Sequence, residues 1–252
     1  MGLEGRVALV TGGGRGIGRA VSLALAEDGA DVAVNYRRDE QAADDTLAEI
    51  EKLGRRAAKY HASVDSWDED EAMLNAVLTD FGGVDILVNN AGIASRGHSV
   101  VDTDPVEFER VWRTHTFGAF ALSKLVLPSM RERARGDIVM VSSVATVNWG
   151  ANSSPYNVAK AGLEALARTL AKEERRNNIH VNVVAPGLVE TEMGRRLVKG
   201  AMGVEDITTL AAGSPFGHVC TPEEVADVVR FLVSDAAGYL TDQKLTIDGG
   251  SF

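Results

Sequence analysis

Cysteine is nearly absent from this chain. Its 252 residues include one cysteine, Cys220, so an internal disulfide bond is excluded. The cysteine and histidine positions show none of the paired spacings of structural zinc sites, and we therefore predict no metal site. Proteins without disulfide bonds are typical of reducing compartments, so we predict a cytoplasmic location.

Positive charge and long apolar runs are scarce as well. The chain carries 26 Lys and Arg against 36 Asp and Glu, a formal net charge of -10, and its basic residues are scattered. A surface that attracts nucleic acid or an anionic membrane needs clustered positive charge, so we expect neither partner. No apolar run approaches the ~20 residues that cross a bilayer, and we predict no membrane-spanning segment.

The rest of the composition favours a globular α/β protein. The chain is 45% hydrophobic and has no Pro/Ser-rich linker, so we predict one domain over residues 1–252. Short β-branched runs alternate with amphipathic stretches, which predicts βαβ units around a parallel sheet. The predicted strands are residues 6–11, 31–35, 57–61, 85–89, 137–142, 180–185 and 244–247. The predicted helices lie near residues 16–28, 40–53, 67–80, 105–133, 155–176 and 222–232.

Residues 188–216 interrupt this alternation. The segment is rich in Gly, Ala, Met and Thr, and it follows a predicted strand. Loops at the carboxyl ends of parallel strands carry ligands, so we predict that this segment is a lid over a substrate. The alternative is a variable surface insertion with no role in binding.

A glycine-rich stretch joins the first predicted strand to the first predicted helix. It reads Thr11-Gly12-Gly13-Gly14-Arg15-Gly16-Ile17-Gly18. Glycines permit a tight turn, a close approach of pyrophosphate to the backbone and close packing of helix on strand, and the helix N-terminus offers free N–H groups. We predict a dinucleotide site here, with a purely structural turn as the alternative.

The end of the second predicted strand indicates which dinucleotide is preferred. It reads Asn35-Tyr36-Arg37-Arg38, where an NAD site usually has Asp or Glu. Arg37 together with Arg15 can pair with a 2′-phosphate, which a carboxylate would repel. We therefore predict that NADP(H) is preferred over NAD(H). The alternative is that Arg37 and Arg38 are solvated surface residues.

Three polar side chains form the candidate catalytic group. Tyr156 and Lys160 stand four positions apart in a predicted helix and therefore share one face. A neighbouring ammonium favours phenolate, so we expect Lys160 to lower the pKa of Tyr156 toward neutrality. Ser143 ends the preceding strand, where its hydroxyl can bond a substrate oxygen. On its own, a Tyr-X-X-X-Lys spacing occurs by chance and usually marks a helix surface. It indicates a catalytic pair only together with the glycine turn upstream.

Taken in order, these motifs resemble the classical short-chain dehydrogenase/reductase family over essentially the whole chain. The matching residues are 11–18, Asn89-Asn90-Ala91-Gly92, Ser143, Tyr156 with Lys160, Pro186-Gly187 with Thr191, and Asp248-Gly249-Gly250. Within the family the chain looks most like 3-oxoacyl-acyl-carrier-protein reductases and related NADP(H) ketoreductases.

The resemblance implies a fold, a reaction and a set of cofactor contacts. The fold is a Rossmann-like, doubly wound parallel sheet of about seven strands with helices on both faces. Tyr156 would be the general acid and base, Ser143 would orient the carbonyl, and Lys160 would hold the nicotinamide ribose during direct hydride transfer. The implied cofactor-binding residues are Gly12, Gly14, Arg15, Gly16, Ile17, Gly18, Asn35, Tyr36, Arg37, Ser63, Val64, Asn90, Ala91, Gly92, Tyr156, Lys160, Pro186, Gly187, Val189 and Thr191.

The chain departs from the family pattern at three positions. Ser63 stands where an Asp usually contacts adenine, and its hydroxyl still accepts one hydrogen bond. His115 stands where the family has its fourth catalytic residue, an Asn. Part of the role of that Asn is played by its backbone carbonyl, which any residue supplies. Because imidazole titrates near neutral pH, we expect His115 to be either a catalytic relay or a packing residue. Asp242 replaces a Gly near the subunit contact region, which the sequence does not explain.

The resulting hypothesis is an enzyme that interconverts a carbonyl compound and a secondary alcohol with NADP(H). The apolar lid favours a hydrophobic small-molecule substrate, such as a 3-oxoacyl thioester or another ketone. A homotetramer built through the helices near residues 105–133 and 155–176 is expected from the resemblance. Two alternatives remain: an NADP(H)-binding sensor or scaffold with little turnover, and an NAD-dependent alcohol dehydrogenase.

Overall fold

The protein is built around one parallel sheet. The computed structural model describes residues 2–251, and within this range it contains seven strands. They are β1 (Val7–Val10), β2 (Asp31–Tyr36), β3 (Ala57–His61), β4 (Ile86–Asn89), β5 (Gly136–Val141), β6 (Ile179–Pro186) and β7 (Lys244–Ile247). The strand order is β3-β2-β1-β4-β5-β6-β7, and every neighbouring pair is parallel. The predicted strands are confirmed to within about two residues at each end.

Helices cover both faces of the sheet. They are α1 (Gly16–Glu27), α2 (Glu40–Lys52), α3 (Trp67–Phe81), α4 (Pro105–Trp112), α5 (Gly118–Met130), α6 (Ala145–Asn148), α7 (Ser154–Glu174), α8 (Glu192–Met202) and α9 (Pro222–Leu232). Over the described residues, none of these helices is both long enough and apolar enough to cross a bilayer.

Alternation along each strand divides the buried side chains into two cores. Leu9 of β1 lies in a core with α3, α5 and α7, whereas its neighbours Ala8 and Val10 lie in a core with α1, α2 and α9. Successive side chains of a strand point to opposite faces, so strands covered on both sides must be apolar throughout. The doubly wound α/β fold expected from the sequence is therefore confirmed.

The first and last helices of the chain pack against each other. Helix α9 lies on α1, and its Arg230 forms an ion pair with the buried carboxylate of Asp28, with Nε 2.9 Å from Oδ2. The guanidinium of Arg6 also donates to the carbonyl oxygen of Val233, at 2.7 Å, just beyond α9. The glycine-rich turn and the C-terminal helix thus belong to one packed layer.

The long helix predicted at residues 105–133 is interrupted. Helix α4 ends at Trp112, a π-helical segment runs over Arg113–Phe117, and α5 begins at Gly118. A side chain at Gly118 would overlap the carbonyl oxygen of Val64. Glycine at this position therefore lets the helix backbone pack directly against the loop that follows β3. Such π segments occur often at functional sites, and this one carries His115.

The segment 188–216 is more regular than its composition suggests. It contains α8 and a 3₁₀ segment, Ile207–Gly213. The Thr191 hydroxyl caps α8 by accepting from the Gly194 N–H at 3.0 Å. Side chains of Val198, Ile207 and Val219 form a small core of their own. The segment is therefore a folded unit above the carboxyl ends of β6 and β7.

Candidate active site

The glycine-rich turn needs glycine at three of its positions. Gly12 and Gly16 have φ of 61° and 53°, a left-handed conformation that favours glycine. A side chain at Gly18 would overlap the carbonyl oxygen of Gly12, so helix α1 can approach β1 only with glycine there. Among the described residues no side chain caps the N-terminus of α1, and its first N–H groups are left for a partner such as pyrophosphate.

The turn is tied to its neighbours by two asparagines. The Asn90 amide donates to the carbonyl oxygen of Thr11 at 2.8 Å, and the N–H groups of Asn90 and Ala91 both donate to the Thr11 hydroxyl at 2.9 Å. The Asn35 Oδ1 accepts from the Gly12 N–H at 3.2 Å, and its amide donates to the Ala62 carbonyl at 3.0 Å. The side chain of Asn35 is thereby buried beneath the turn, where it acts as a support.

The two arginines predicted to bind a phosphate both face carboxylates. Arg15 Nη1 lies 2.9 Å from Glu192 Oε2, at the start of α8, and Arg37 Nη1 lies 3.9 Å from Asp65 Oδ2. The hydroxyl of Ser63 donates to the other oxygen of Asp65, at 2.6 Å. Both guanidinium groups are exposed, so a phosphate can reach them by competing with these acids.

The remaining predicted cofactor residues line the same edge of the sheet. Tyr36 contacts His61 edge-on, with ring centroids 5.4 Å apart, and forms the side wall next to Arg37. Thr191 lies against the glycine turn, since a Cβ on Gly16 would sit 3.4 Å from its Cγ2. The other predicted residues here are Gly14, Ile17, Val64, Gly92, Pro186, Gly187 and Val189, which sit in the turn, in the first turn of α1, in the loops after β3 and β4, at the end of β6 and in the loop after it.

Ser143, Tyr156 and Lys160 are brought together beside this edge. Ser143 follows the end of β5, and its hydroxyl hydrogen-bonds the Tyr156 phenol, which is carried by the first turn of α7. Lys160 is one turn further along α7; its Nζ donates to the Val141 carbonyl at 2.7 Å and lies 5.6 Å from the centroid of the Tyr156 ring. The helical spacing of Tyr156 and Lys160 thus places both beside Ser143.

Burial sets the proton affinities of this group. Burial raises the pKa of Tyr156, and the hydrogen bond with Ser143 opposes the rise. Burial lowers the pKa of Lys160 to about 7, against the charge of Glu164. The expectation that Lys160 lowers the pKa of Tyr156 is therefore wrong for this structure. The lysine nitrogen is bonded to a carbonyl, and it loses part of its own charge at neutral pH.

His115 is buried in the π segment. Its Nε2 lies 2.8 Å from the carbonyl oxygen and 3.1 Å from the nitrogen of Ile93, and its Nδ1 has no hydrogen-bond partner within residues 2–251. A side chain at Gly92 would overlap the imidazole. Burial, followed by the charge of Lys160, lowers the pKa of His115 to about 3. The expectation that this imidazole titrates near neutral pH is therefore wrong.

Two further features were missed or unexplained in the sequence. The carboxylate of Glu164 accepts from Ser142 Oγ at 2.6 Å and lies 2.9 Å from Lys244 Nζ. The only sequence signal was its position four residues after Lys160, which a solvent-facing Glu would share. Asp242 has a φ of 60°, which accounts for glycine in the family and for Asp here, since Asp tolerates the left-handed conformation better than most residues.

A glycine cradle at the first β–α junction, with a Ser–Tyr–Lys group across the same sheet edge, indicates a nicotinamide-dependent oxidoreductase of the doubly wound class. Residues 12–251 match a family model described as "Enoyl-(Acyl carrier protein) reductase". The chain is 38% identical over 252 residues to the 3-oxoacyl-acyl-carrier-protein reductase FabG of Vibrio cholerae, covering 100% of this chain and 99% of that protein. The chain belongs to the short-chain dehydrogenase/reductase family.

Solved structures of this family superpose closely on the protein. A short-chain dehydrogenase from Burkholderia cenocepacia in complex with NADP has a TM-score of 0.89 and 33% identity, with 98% of both chains covered. An NAD+-bound xylitol dehydrogenase has a TM-score of 0.91 and 31% identity, covering 98% of this chain and 99% of that one. The protein is thus an oxidoreductase that uses a nicotinamide cofactor on the CH–OH or carbonyl group of a small molecule.

Proposed function

We propose that the protein is an NADP(H)-dependent reductase that converts a hydrophobic ketone, with 3-oxoacyl thioesters as the leading substrate class, into a secondary alcohol. The observation that carries this proposal is the convergence of Ser143, Tyr156 and Lys160 beside the glycine cradle. We take residues 1–252 as one domain whose substrate lid lies within residues 188–216.

The chain's own residues supply the proton and the positioning. The bound nicotinamide supplies a hydride to the carbonyl carbon. Tyr156 then gives its phenolic proton to the carbonyl oxygen, which becomes the hydroxyl of the product. Burial raises the pKa of Tyr156, so the phenol holds a proton at neutral pH, as a donor in the reductive direction must. Ser143 donates a hydrogen bond where negative charge develops on that oxygen, and Lys160 holds the ribose hydroxyls.

The preference for NADP(H) is supported by the charges at the end of β2. Strand β2 ends at Tyr36 and is followed by Arg37, so no acid occupies the position that usually receives the ribose hydroxyls of NAD. Asp31, the acid of this strand, lies at its opposite end and pairs with Arg55 at 2.9 Å. Arg37 and Arg15 are the groups we assign to a 2′-phosphate, which would draw them from Asp65 and Glu192.

The hydrophobic substrate is supported by exposed apolar side chains around the site. Helix α8 exposes Met193, Leu197 and Met202, and Phe216 is exposed at the end of the lid. Trp149 is also exposed, in the loop that joins Ser143 to Tyr156. The relatives named for 3-oxoacyl reduction make the acyl thioester the first compound to test.

Assembly and location follow the family in this proposal. We propose a cytoplasmic homotetramer that uses the outer faces of α4 and α5, with α7. Phe108, Trp112 and Phe120 on α4 and α5 are partly exposed, and large aromatic side chains of this kind are typical of protein interfaces.

A spectrophotometric screen tests the proposed function. NADPH oxidation is followed with 3-oxoacyl thioesters of increasing chain length, other hydrophobic ketones and a polar sugar ketone, and each assay is repeated with NADH. We expect turnover that rises with the apolar length of the substrate and is faster with NADPH. Equal or faster rates with NADH support the NAD-dependent alternative instead. Tight NADPH binding without turnover of any ketone supports the sensor alternative, which the pairing of Ser143 with Tyr156 disfavours.

A further inference from the structure

One partly buried carboxylate receives hydrogen bonds from three different parts of the chain. Glu164 Oε1 accepts from Ser142 Oγ at 2.6 Å, just after β5, and from Thr146 Oγ1 at 2.7 Å, in α6. Lys244 Nζ, in β7, lies 2.9 Å from the same oxygen and 3.1 Å from Oε2. The side chains of Glu164 and Lys244 are only 15% and 20% exposed, so this ion pair is partly shielded from solvent.

The contacts of Glu164 hold the turn that carries Ser143. Ser142 precedes Ser143 directly, and Thr146 Oγ1 also lies 2.9 Å from the Ser143 carbonyl oxygen. Lys244 Nζ donates to Thr146 Oγ1 at 2.6 Å, which leaves the single hydroxyl proton of Thr146 for either Ser143 or Glu164. Both ends of the turn are therefore fastened to one carboxylate.

Glu164 belongs to the same helix as the other two members of the candidate catalytic group. It lies one turn after Lys160 and two turns after Tyr156 on α7. The contacts of Glu164 thus connect the turn of Ser143 to the helix of Tyr156 and Lys160. The distances from the Ser143 hydroxyl to the Tyr156 phenol and the Lys160 ammonium therefore depend on these contacts.

We propose that Glu164 is a positioning residue of this enzyme, which fixes Ser143 relative to α7 and holds a negative charge toward Lys160. The inference rests on the roles assigned to Ser143, Tyr156 and Lys160 in the proposed function. It names a residue that works through these three and needs no contact with substrate.

The charge of Glu164 acts on Lys160 in a crowded electrostatic setting. The groups that face Lys160 are Tyr156, His115 and Glu164, and only Glu164 raises the pKa of Lys160 against the effect of burial. Burial would raise the pKa of Glu164 itself, but the hydrogen bonds from Ser142, Thr146 and Lys244 bring it below its usual value, so Glu164 stays ionised. Arg168 and Asp242 line a small adjoining cavity.

Two substitutions should move the titration of Lys160 in opposite directions. Glu164→Gln removes the negative charge at nearly constant shape, so the pKa of Lys160 should fall. Lys244→Met removes a positive charge that partly cancels Glu164, so the pKa of Lys160 should rise. A charge ~4–6 Å from a titrating group shifts the pKa of that group by about 1–3 units. Because Glu164 is screened by its partner Lys244, we expect a pKa shift of about half a unit at Lys160.

The measurement is the pH dependence of NADPH binding, followed by fluorescence, together with kcat and KM for the best ketone. In Glu164→Gln we expect the binding midpoint to move to lower pH and kcat to fall about tenfold with KM nearly unchanged. In Lys244→Met we expect the midpoint to move to higher pH. Thermal unfolding of both variants separates these shifts from a loss of fold. Arg168→Met is the control for the loss of a nearby charge that does not contact Glu164.

Three results would overturn the proposal. They are unchanged midpoints in both folded variants, shifts in the same direction, and a kcat in Glu164→Gln equal to that of the parent protein. Because NADPH binding is measured without a ketone, a failure to find the substrate leaves the binding test of Glu164 intact. A failed proposed function and a failed role for Glu164 are therefore told apart.

Discussion

The imidazole of His115 stands edge-on to the phenol ring of Tyr156, with ring centroids 5.4 Å apart and ring planes at 87°. The same imidazole holds the backbone of Ile93, just after β4. One side chain of the π segment therefore supports both the loop beside the cofactor cradle and the ring of the proposed proton donor. Because this imidazole is neutral, its role is in packing and hydrogen bonding.

His115→Asn should remain active and keep the pH profile of the parent enzyme. A carboxamide can reach the Ile93 backbone as the imidazole does, and a group with a pKa of about 3 contributes no step near neutral pH. We expect a rate within about tenfold of the parent, since one neutral hydrogen bond is worth ~0.5–1.5 kcal/mol. A rate step near pH 6.5 that disappears in the variant would show that His115 does titrate. An inert parent beside an active variant would favour the sensor alternative.

Tyr156→Phe should remove turnover and leave cofactor binding in place. The phenyl ring keeps its contact with His115, so only the transferable proton is lost. We expect kcat to fall by ~10²–10⁴-fold, the usual value of general acid catalysis. Stopped-flow rates and NADPH fluorescence titration measure the two effects. Retention of more than about a tenth of the parent rate would contradict the acid role.

Arg37→Ala should weaken NADPH binding more than NADH binding. The guanidinium is half exposed, so we expect the low end of a charge-assisted contact, ~1.5 kcal/mol or about tenfold, at low salt. Arg38→Ala is the matched control, because Arg38 is an exposed neighbour that we assign no phosphate contact. Calorimetric titration of both cofactors gives the ratio. Equal weakening of both cofactors in Arg37→Ala would refute the phosphate assignment.

Asp70→Asn should stabilise the protein at alkaline pH. Asp70 is fully buried, and within the described chain neither carboxylate oxygen has a hydrogen-bond partner. Burial, followed by the charges of Asp65 and Glu69, raises the pKa of Asp70 to about 8. The folded protein then keeps a proton that the unfolded chain releases above a pH of about 4, so stability falls as pH rises from there to about 8.

Urea unfolding between pH 5 and pH 9 checks this prediction. We expect the free energy of unfolding of Asp70→Asn to exceed that of the parent by about 2 kcal/mol or more near pH 9, and the difference to shrink toward pH 5. Asp68→Asn, on the exposed side of the same helix, is the control and should follow the parent curve. A difference that stays constant with pH would mean that Asp70 does not hold its proton.

The sequence predicted the fold well because the strongest patterns are local. Seven short predicted runs became seven strands, and the central ones, β1, β4 and β5, are buried along their whole length, as strands covered on both faces must be. The π-helical segment at residues 113–117 was not predicted, and the close contact that follows it, between Gly118 and the Val64 carbonyl, joins residues that are distant in sequence. The helical content of residues 188–216 was missed because the segment closes over a small core that pairs Val198 with Val219.

For the candidate site, the sequence predicted which residues come together. It did not predict the pKa values of their side chains. The spacing of Tyr156 and Lys160 predicted a shared helix face, which the structure shows, while their catalytic roles stay predictions. The pKa of Tyr156 is raised where we expected it to be lowered, and the pKa of His115 is lowered where we expected it near neutral pH, because burial depends on all the elements that pack around a group. Glu164 escaped notice because its partners come from the residue after β5, from α6 and from β7.

The packing of α9 on α1 fixes when the protein can finish folding. Helix α1 leaves the ribosome well before α9, which covers it and is synthesised about 200 residues later. The apolar face of α1 is therefore covered, and the Asp28 carboxylate pairs with Arg230, only after α9 has been synthesised. A chain that stops before α9 keeps the glycine turn in its sequence but leaves the apolar face of α1 uncovered, so we expect the cofactor cradle to form only after α9 has been synthesised.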